Sequence, residues 1–167
     1  FAEYRKYVPG DDVKHVDWRV YARSDRFFMK EFEADTNLRC YLVLDTSASM
    51  GFAWQNESKF EYARRLAATL AYMLIHQGDA VGLLCFNDKT ACDIPPRHAP
   101  SHLRNIFDTL EEIKPGGKTD IVKTLHSLAE KIRQRALVIV LSDFFAEVDR
   151  LLDSFQHLRF RKHDAAV

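Results

Sequence analysis

The chain has 167 residues, of which 47% are hydrophobic and 29% are charged, an ordinary balance for one globular domain. Its 24 Lys and Arg residues equal its 24 Asp and Glu residues, so no net charge attracts it to nucleic acid or to an anionic membrane surface. No apolar run approaches the ~20 residues that span a bilayer, and no signal peptide is recognisable. We therefore expect neither nucleic-acid binding nor membrane contact by this fragment.

The three cysteines, Cys40, Cys85 and Cys92, lack the spacing of a disulfide scaffold. Cys40 and Cys85 lie inside apolar, strand-like runs, where buried reduced thiols are expected. Such thiols suit a reducing compartment, so we expect a cytoplasmic location. The chain begins with Phe1 rather than Met, and residues 163–167 have the character of an opening strand. We therefore expect a fragment of a longer protein that is truncated at its C-terminus.

The first predicted elements are two strands and a helix. Residues 27–33 alternate apolar and polar side chains, as an exposed strand does. Residues 38–44 are nearly all apolar, which is typical of a buried strand in an α/β sheet. Ser58 and Glu61 have the spacing of a capping box, which predicts a helix from about Lys59.

Two more strands and a second helix follow. Residues 80–86 form an apolar run that predicts another buried strand. Residues 90–94 predict a short strand that Pro95 and Pro96 end. Ser101 is a candidate cap for a helix with an apolar stripe of period 3.6. The sequence Pro-Gly-Gly at residues 115–117 should end this helix.

The last third of the chain repeats this alternation. Thr119 or Asp120 caps a further helix, residues 136–141 form the most apolar strand, and apolar residues within 151–158 mark another helix. Strands alternating with helices favour right-handed crossovers. The sequence therefore predicts an α/β fold with a mostly parallel sheet and helices on both faces.

Oxygen-bearing side chains follow the ends of two predicted strands. The sequence Asp45-Thr46-Ser47-Ala48-Ser49 comes directly after one apolar strand, and Asp143 comes just after another. Thr119 lies in the Gly-Gly-Lys-Thr-Asp loop at a helix start. In open α/β sheets, ligands bind beyond the carboxyl ends of the strands, so these loops converge there if their strands are neighbours.

Two carboxylates and three hydroxyls would then meet, and every donor atom would be oxygen. Such a set suits Mg²⁺ or Mn²⁺ rather than Zn²⁺. With two carboxylates, the site and its divalent cation would have no net charge. An acidic side chain from elsewhere would therefore be able to complete the coordination.

Two motifs carry a resemblance to known families. The D-x-S-x-S spacing of Asp45, Ser47 and Ser49 resembles the metal-ion-dependent adhesion site of von Willebrand factor A domains. The resemblance to a second family, the bacterial domain-of-unknown-function 58 family, rests on Tyr7-Val8-Pro9-Gly10-Asp11-Asp12-Val13-Lys14-His15-Val16-Asp17-Trp18-Arg19, Ala22-Arg23 and Lys30-Glu31-Phe32-Glu33. It implies that a signature segment over residues 1–36 packs on a von Willebrand A-like domain over residues 37–167.

The resemblance also implies how such a site is used. Ser47 and Ser49 would bind the metal directly, Asp45 and Asp143 often through water, and Thr119 in one of two loop states. A partner's Asp or Glu would fill the open position. Members of the family are similar to von Willebrand A proteins encoded beside MoxR-type AAA+ ATPases. The implied partner is therefore such an ATPase or its client, in a chaperone-like or maturation role.

Asp45 also suits a different role, as the nucleophile of a Mg²⁺-dependent hydrolase such as a phosphatase. Enzymes of that kind usually place a second Asp two residues on, as acid and base, whereas this chain has Ser47 there. We therefore expect a non-catalytic protein-binding module. Two simpler interpretations stay open. In the first, Ser47 and Ser49 only cap a turn, and in the second the domain keeps its fold but the degenerate site binds no metal.

Aromatic residues lie on both sides of the predicted site. Phe52 and Trp54 follow the metal motif, and Phe144 and Phe145 follow Asp143. Exposed aromatic side chains beside a metal would anchor a protein partner. Phe52, Trp54 and Phe144 are therefore candidate partner-binding residues, with packing against a neighbouring helix as the alternative.

Overall fold

The computed structural model describes residues 3–8, 16–31, 38–55 and 57–167, and at residues 3–5, 30, 31 and 54 it describes the backbone alone. Residues 9–15, 32 and 33 of the predicted signature, and the side chain of Trp54, lie outside this description. The chain divides into two compact units, Phe1–Thr36 and Asn37–Val167. The packing of the signature segment on the second unit stays a prediction.

The first unit combines a two-stranded sheet with a short helix. Its elements are β1 (Glu3–Lys6), α1 (Trp18–Ser24) and β2 (Phe28–Glu31), and the two strands pair antiparallel. Asp17 caps α1, because its Oδ1 accepts from the backbone N–H of Arg19 at 2.9 Å. The strand predicted from the alternation at residues 27–33 is confirmed over the length of β2.

The second unit has helices on both faces of a main sheet, and it also contains a small antiparallel pair of strands. Its elements are β3 (Arg39–Asp45), β4 (Ala53–Trp54), β5 (Glu57–Ser58), α2 (Lys59–His76), β6 (Ala80–Phe86), β7 (Thr90–Arg97), α3 (Pro100–Glu112), α4 (Ile121–Lys131), β8 (Leu137–Leu141), α5 (Val148–Phe160) and β9 (Asp164–Ala166). Within the described residues, the main sheet has five strands in the order β7-β6-β3-β8-β9, and the small pair consists of β4 and β5. Strand β7 pairs antiparallel with β6, and the other pairs are parallel. The predicted α/β fold with a mostly parallel sheet is confirmed.

Strand β3 lies at the centre of this sheet with a core on each face. Leu42 and Leu44 belong to the core beneath α2 and α3, and Val43 belongs to the core beneath α4 and α5. All three side chains are completely buried. A strand buried on both faces must be apolar throughout, which explains the unbroken run before Asp45.

Three details of the helices and strands bear on the predictions. Ser58 caps α2 as expected, because its Oγ accepts from the N–H of Glu61 at 3.1 Å. Asp120, rather than Thr119, caps α4 by accepting from the N–H of Lys123 at 3.2 Å. The prediction that Ser101 caps α3 is wrong: this helix begins at Pro100, whose fixed φ and missing N–H suit a first position.

The two prolines at residues 95 and 96 do not end β7, which continues to Arg97. The short strand predicted to stop at residue 94 is therefore wrong at its end. Strand β7 lies at the edge of the sheet, and its register with β6 shifts opposite these two prolines, between Val81 and Leu83, so an irregular edge accommodates their missing backbone donors. Within the described ranges, no helix combines the length and apolar character needed to cross a membrane.

Candidate metal centre

Asp45 ends the central strand β3 as a completely buried carboxylate. Its Oδ1 accepts from the backbone N–H of Ser47 at 2.8 Å. Its Oδ2 accepts from the hydroxyl of Ser142 at 2.7 Å and from the hydroxyl of Thr119 at 3.2 Å. Strands β6 and β8 flank β3 on opposite sides, so Asp45 lies at the carboxyl edge where the strand order reverses.

A short 3-10 turn, Ala48–Gly51, follows β3. Ser47 directly precedes this turn, and Ser49 lies within it. Their hydroxyl oxygens are 3.1 Å apart. The hydroxyl of Ser49 also donates to Oδ1 of Asp143 at 3.2 Å. The turn therefore aligns both hydroxyls with the carboxylate that follows β8.

Asp143 sits at the partly exposed rim of the site, two residues beyond β8. Its Oδ2 accepts from Nζ of Lys59 at 3.0 Å. The next residue, Phe144, has φ of 54°, in the left-handed region that side chains other than glycine rarely adopt. The hydroxyl of Ser142 accepts from the N–H of Phe144 at 3.0 Å and thereby holds this turn. This left-handed residue turns the chain immediately after Asp143.

The Gly-Gly-Lys-Thr loop is fastened to the metal-motif segment at two points. The N–H of Gly116 donates to the carbonyl of Thr46 at 2.7 Å, and the N–H of Ala48 donates to the carbonyl of Gly117 at 2.9 Å. Gly117 has φ of 79°, which favours glycine. These bonds bring the hydroxyl of Thr119 to Asp45.

The structure thus brings all five sequence-predicted metal ligands into one network of hydrogen bonds: Asp45, Ser47, Ser49, Thr119 and Asp143. Three further residues belong to the same site and were not predicted. Ser142 donates to Asp45, Lys59 pairs with Asp143, and the amide of Asn87 donates to the carbonyl of Gly116 at 3.1 Å. Of these, Ser142 had a signal in the sequence, since it lies between a strand end and a predicted ligand.

The spacing of these oxygens, which is that of hydrogen-bonded pairs, is also compatible with a small divalent cation. Oxygens bound at roughly 2.1 Å at adjacent corners of an octahedron lie about 3.0 Å apart. The pairs Ser47 with Ser49, Ser49 with Asp143 and Thr119 with Asp45 are separated by 3.1, 3.2 and 3.2 Å. In the described part of the chain, no point gathers three or more His, Cys, Asp and Glu side chains. The donor set here consists instead of two carboxylates and several hydroxyls.

The aromatic residues around this site differ in exposure. Phe52 is 62% exposed, and Nζ of Lys59 lies 5.9 Å from the centre of its ring. Phe144 is half-buried and packs against Phe155, with ring centres 6.3 Å apart, so it corresponds to the packing alternative. Phe145 is 80% exposed. Partner contact by Phe52, Trp54 or Phe144 stays a prediction.

A cleft of about 670 Å³ begins at Ser142 and Asp143 and runs between α2 and β8. Its walls are mostly apolar, and they include Met50, Phe52, Tyr62, Leu66, Val140 and Phe144. The polar site is therefore open on one side to an apolar surface.

Comparison with solved structures supports the fold. Protein BatB of Bacteroides thetaiotaomicron superposes with a TM-score of 0.66 at 20% identity, over 78% of this chain and 65% of that one. A von Willebrand factor type A protein of Catenulispora acidiphila gives 0.55 at 12% identity, over 77% of this chain and 32% of that one. The fold is therefore von Willebrand A-like.

Comparison with protein sequences gives the family. The uncharacterized protein Rv1480 of Mycobacterium tuberculosis is 30% identical over 151 residues, which are 88% of this chain and 47% of that protein. The uncharacterized protein YeaD of Bacillus subtilis is 28% identical over 82 residues, 49% of this chain and 19% of that protein. The matched part of the chain thus corresponds to about half the length of Rv1480 and to a smaller share of YeaD. The family described as protein of unknown function DUF58 matches residues 3–167, and the chain belongs to this family.

Proposed function

We propose that this domain is a non-catalytic protein-binding module whose contact with its partner depends on Mg²⁺ or Mn²⁺. The observation that carries the proposal is the network of oxygens around Asp45, at the carboxyl edge of the central strand. A von Willebrand A-like fold is consistent with an interaction module. The residues that would hold the cation are Asp45, Ser47, Ser49, Thr119 and Asp143.

The resemblance to metal-ion-dependent adhesion sites assigns a role to each residue. Ser47 and Ser49 would bind the cation directly, Asp45 and Asp143 would bind through water, and Thr119 would join in one of two loop states. When bound, the cation would supply an electrophilic position for a carboxylate oxygen of the partner. The protein's own contribution is to hold the hydroxyls in place, which the bonds from Ser47 to Ser49 and from Ser49 to Asp143 support.

The environment of Asp45 supports binding over hydrolysis. A carboxylate nucleophile must reach its substrate, whereas Asp45 is completely buried and both of its oxygens accept hydrogen bonds. The acid and base of a phosphatase would stand at the position of Ser47, whose hydroxyl does not suit that role. We therefore propose no catalytic residue in this site.

We further propose that the partner supplies an Asp or Glu and is a MoxR-type AAA+ ATPase or its client. This part rests on the family signature and on the coordination position that the five residues would leave open around a bound cation. The thiols of Cys40, Cys85 and Cys92 are free, which supports a cytoplasmic site of action.

Titration with Mn²⁺ followed by electron paramagnetic resonance tests the metal site. We expect the wild-type chain to bind one Mn²⁺. The Ser49→Ala variant should bind it at least tenfold more weakly, because substitutions around metal sites commonly reduce metal affinity by that factor. Ser127→Ala, at an exposed position of α4, is the control and should bind as the wild type does. Equal affinity of all three proteins would contradict the proposal.

Two further assays separate the remaining parts. A generic phosphate ester should show no Mg²⁺-dependent turnover, and turnover that Asp45→Asn abolishes would establish a hydrolase instead. A purified MoxR-type ATPase from the same source should bind the domain in Mg²⁺ and release it in EDTA. Failure to bind would refute this partner. Binding that EDTA does not change would refute the metal dependence of the contact.

A further inference from the structure

Cys85 and Cys92 face each other across two neighbouring strands. They are register partners in the antiparallel pair of β6 and β7. Both side chains lie on the sheet face beneath α2 and α3, where Cys85 is a core residue and Cys92 packs against that core. Residues directly opposite each other in an antiparallel pair have Cα atoms about 4.5–5.5 Å apart. A disulfide spans Cα separations of about 4.4–6.8 Å, so this pair satisfies its main distance requirement.

The two thiols differ in exposure and in acidity. Cys85 is completely buried, whereas Cys92 is half-buried at the edge strand. The thiol of Cys85 hydrogen-bonds to the sulfur of Cys92, which lowers the pKa of Cys92 to about 7 and raises the pKa of Cys85. Cys92 is therefore the more accessible sulfur and the one with more thiolate character at neutral pH.

We propose that Cys85 and Cys92 form a redox modification site that takes hydroperoxides and closes to a cross-strand disulfide. The Cys92 thiolate attacks one oxygen of hydrogen peroxide, breaks the O–O bond and becomes a sulfenic acid, while the other oxygen leaves as water after gaining a proton. The sulfur of Cys85 then attacks the sulfur of Cys92 and displaces the sulfenic oxygen, which takes up the proton of the Cys85 thiol and leaves as a second water. The two thiols lose two electrons, and the peroxide gains them.

This inference goes beyond the proposed protein-binding function and does not depend on it. The bond would fasten the edge strand β7 to β6 without a large rearrangement, since the two residues already pair. Cys40 provides an internal comparison, because it is completely buried in β3 opposite Val81 of β6 and Leu137 of β8. No cysteine stands beside Cys40 in either neighbouring strand, so it has no partner there for a disulfide.

The test is to expose the folded chain to hydrogen peroxide, unfold it, alkylate its free thiols and measure its intact mass. We expect the alkylatable thiols to fall from three to one, with a loss of about 2 Da from the polypeptide itself once the missing alkyl groups are accounted for, and dithiothreitol to restore all three. Peptide mapping should join Cys85 to Cys92 within one chain. Three thiols remaining after exposure, or a product that joins two chains, would overturn the proposal.

Cysteine variants distinguish disulfide formation between Cys85 and Cys92 from unspecific oxidation of the cysteines. Cys40→Ser should still lose two thiols, whereas Cys92→Ser should keep both of its thiols alkylatable. In Cys85→Ala, Cys92 lacks its resolving partner and should gain oxygen rather than lose 2 Da. The wild-type measurement decides the proposal even if a variant at the buried Cys85 does not fold. Gain of oxygen at Cys92 of the wild type, with no loss of 2 Da, would refute disulfide formation.

Discussion

Lys59 and Asp143 form an ion pair at the rim of the candidate metal centre, with Nζ 3.0 Å from Oδ2. Lys59 is the first residue of α2 and Asp143 follows β8, so the pair joins two sides of the site. The side chain of Asp143 is 12% exposed and that of Lys59 is 47% exposed. An ammonium group at this position repels a cation and occupies a carboxylate that the proposed metal would use.

Replacing Lys59 should therefore strengthen metal binding. We expect Lys59→Gln to raise the affinity for Mn²⁺ by about two- to fivefold, since a partly exposed charge contributes about 1 kcal/mol or less. The titration used for the metal site measures this change. Lys114→Gln removes the same charge at an exposed position and should leave the affinity within about twofold. Weaker binding by Lys59→Gln than by the control would show that Lys59 supports the site instead.

Ser142 should matter for stability as well as for metal affinity. Its hydroxyl donates to the buried Oδ2 of Asp45 and accepts from the N–H of Phe144. Removing a hydrogen bond to a buried charged group costs about 1.5–3 kcal/mol, so Ser142→Ala should lower the free energy of unfolding by that amount. Urea unfolding measures it, with Ser127→Ala as the exposed control. A loss no larger than that of the control would contradict the role of Ser142.

The two adjacent glycines of the metal loop should respond differently to alanine. At Gly117, φ is 79° and an added Cβ would lie 3.2 Å from Nδ2 of Asn87. At Gly116, an added Cβ would meet no atom within 4 Å. We expect Gly117→Ala to lower the free energy of unfolding by about 1–2 kcal/mol and to weaken Mn²⁺ binding through Thr119. Gly116→Ala should change stability by about 0.5 kcal/mol or less, and equal losses from both variants would contradict this account.

The buried imidazole of His163 should make the domain sensitive to acid. Burial lowers the pKa of His163 below 6.5, and Arg161 lowers it further, against the opposing effects of the Ile132 backbone and Asp164. The unfolded chain therefore binds a proton more readily than the folded chain. The contribution of His163 to the free energy of unfolding is present above about pH 6.5 and is lost as the pH falls through the folded-state pKa.

Urea unfolding at about pH 7.5 and about pH 5 checks this sign. The wild type should lose stability between these values, by at most about 1.4 kcal/mol per pH unit from this one group. His163→Gln should lose less, and the exposed His98→Gln should match the wild type. An identical loss in all three proteins would assign the acid sensitivity to other groups.

Local signals in the sequence were enough to predict most of the second unit. The spacing of Ser58 and Glu61 specifies a helix start by itself, because a side-chain oxygen must satisfy a free N–H there. The apolar run before Asp45 predicted a strand buried on both faces, and the observed burial of Leu42, Val43 and Leu44 agrees. The convergence of Asp45, Thr119 and Asp143 then followed from the geometry of parallel strands.

Other features depend on tertiary position, which no local pattern contains. Lys59 pairs with Asp143 across 84 residues of sequence, and Cys85 meets Cys92 through the register of a hairpin with a bulge. The continuation of β7 through Pro95 and Pro96 depends on its place at the sheet edge. Only the assembled sheet determines these three relationships.

Thermal unfolding with Mn²⁺ or with EDTA tests the central claim most directly. At about ten times its Kd, a bound cation adds ~1.4 kcal/mol to the folded state, which raises Tm by roughly 3–6 °C at this size. The account predicts this rise for the wild type and for Asp153→Asn, which changes an exposed Asp on α5, and its loss in Asp45→Asn. Equal Tm values in Mn²⁺ and EDTA for the wild type, or an undiminished rise in Asp45→Asn, would contradict the proposed metal centre.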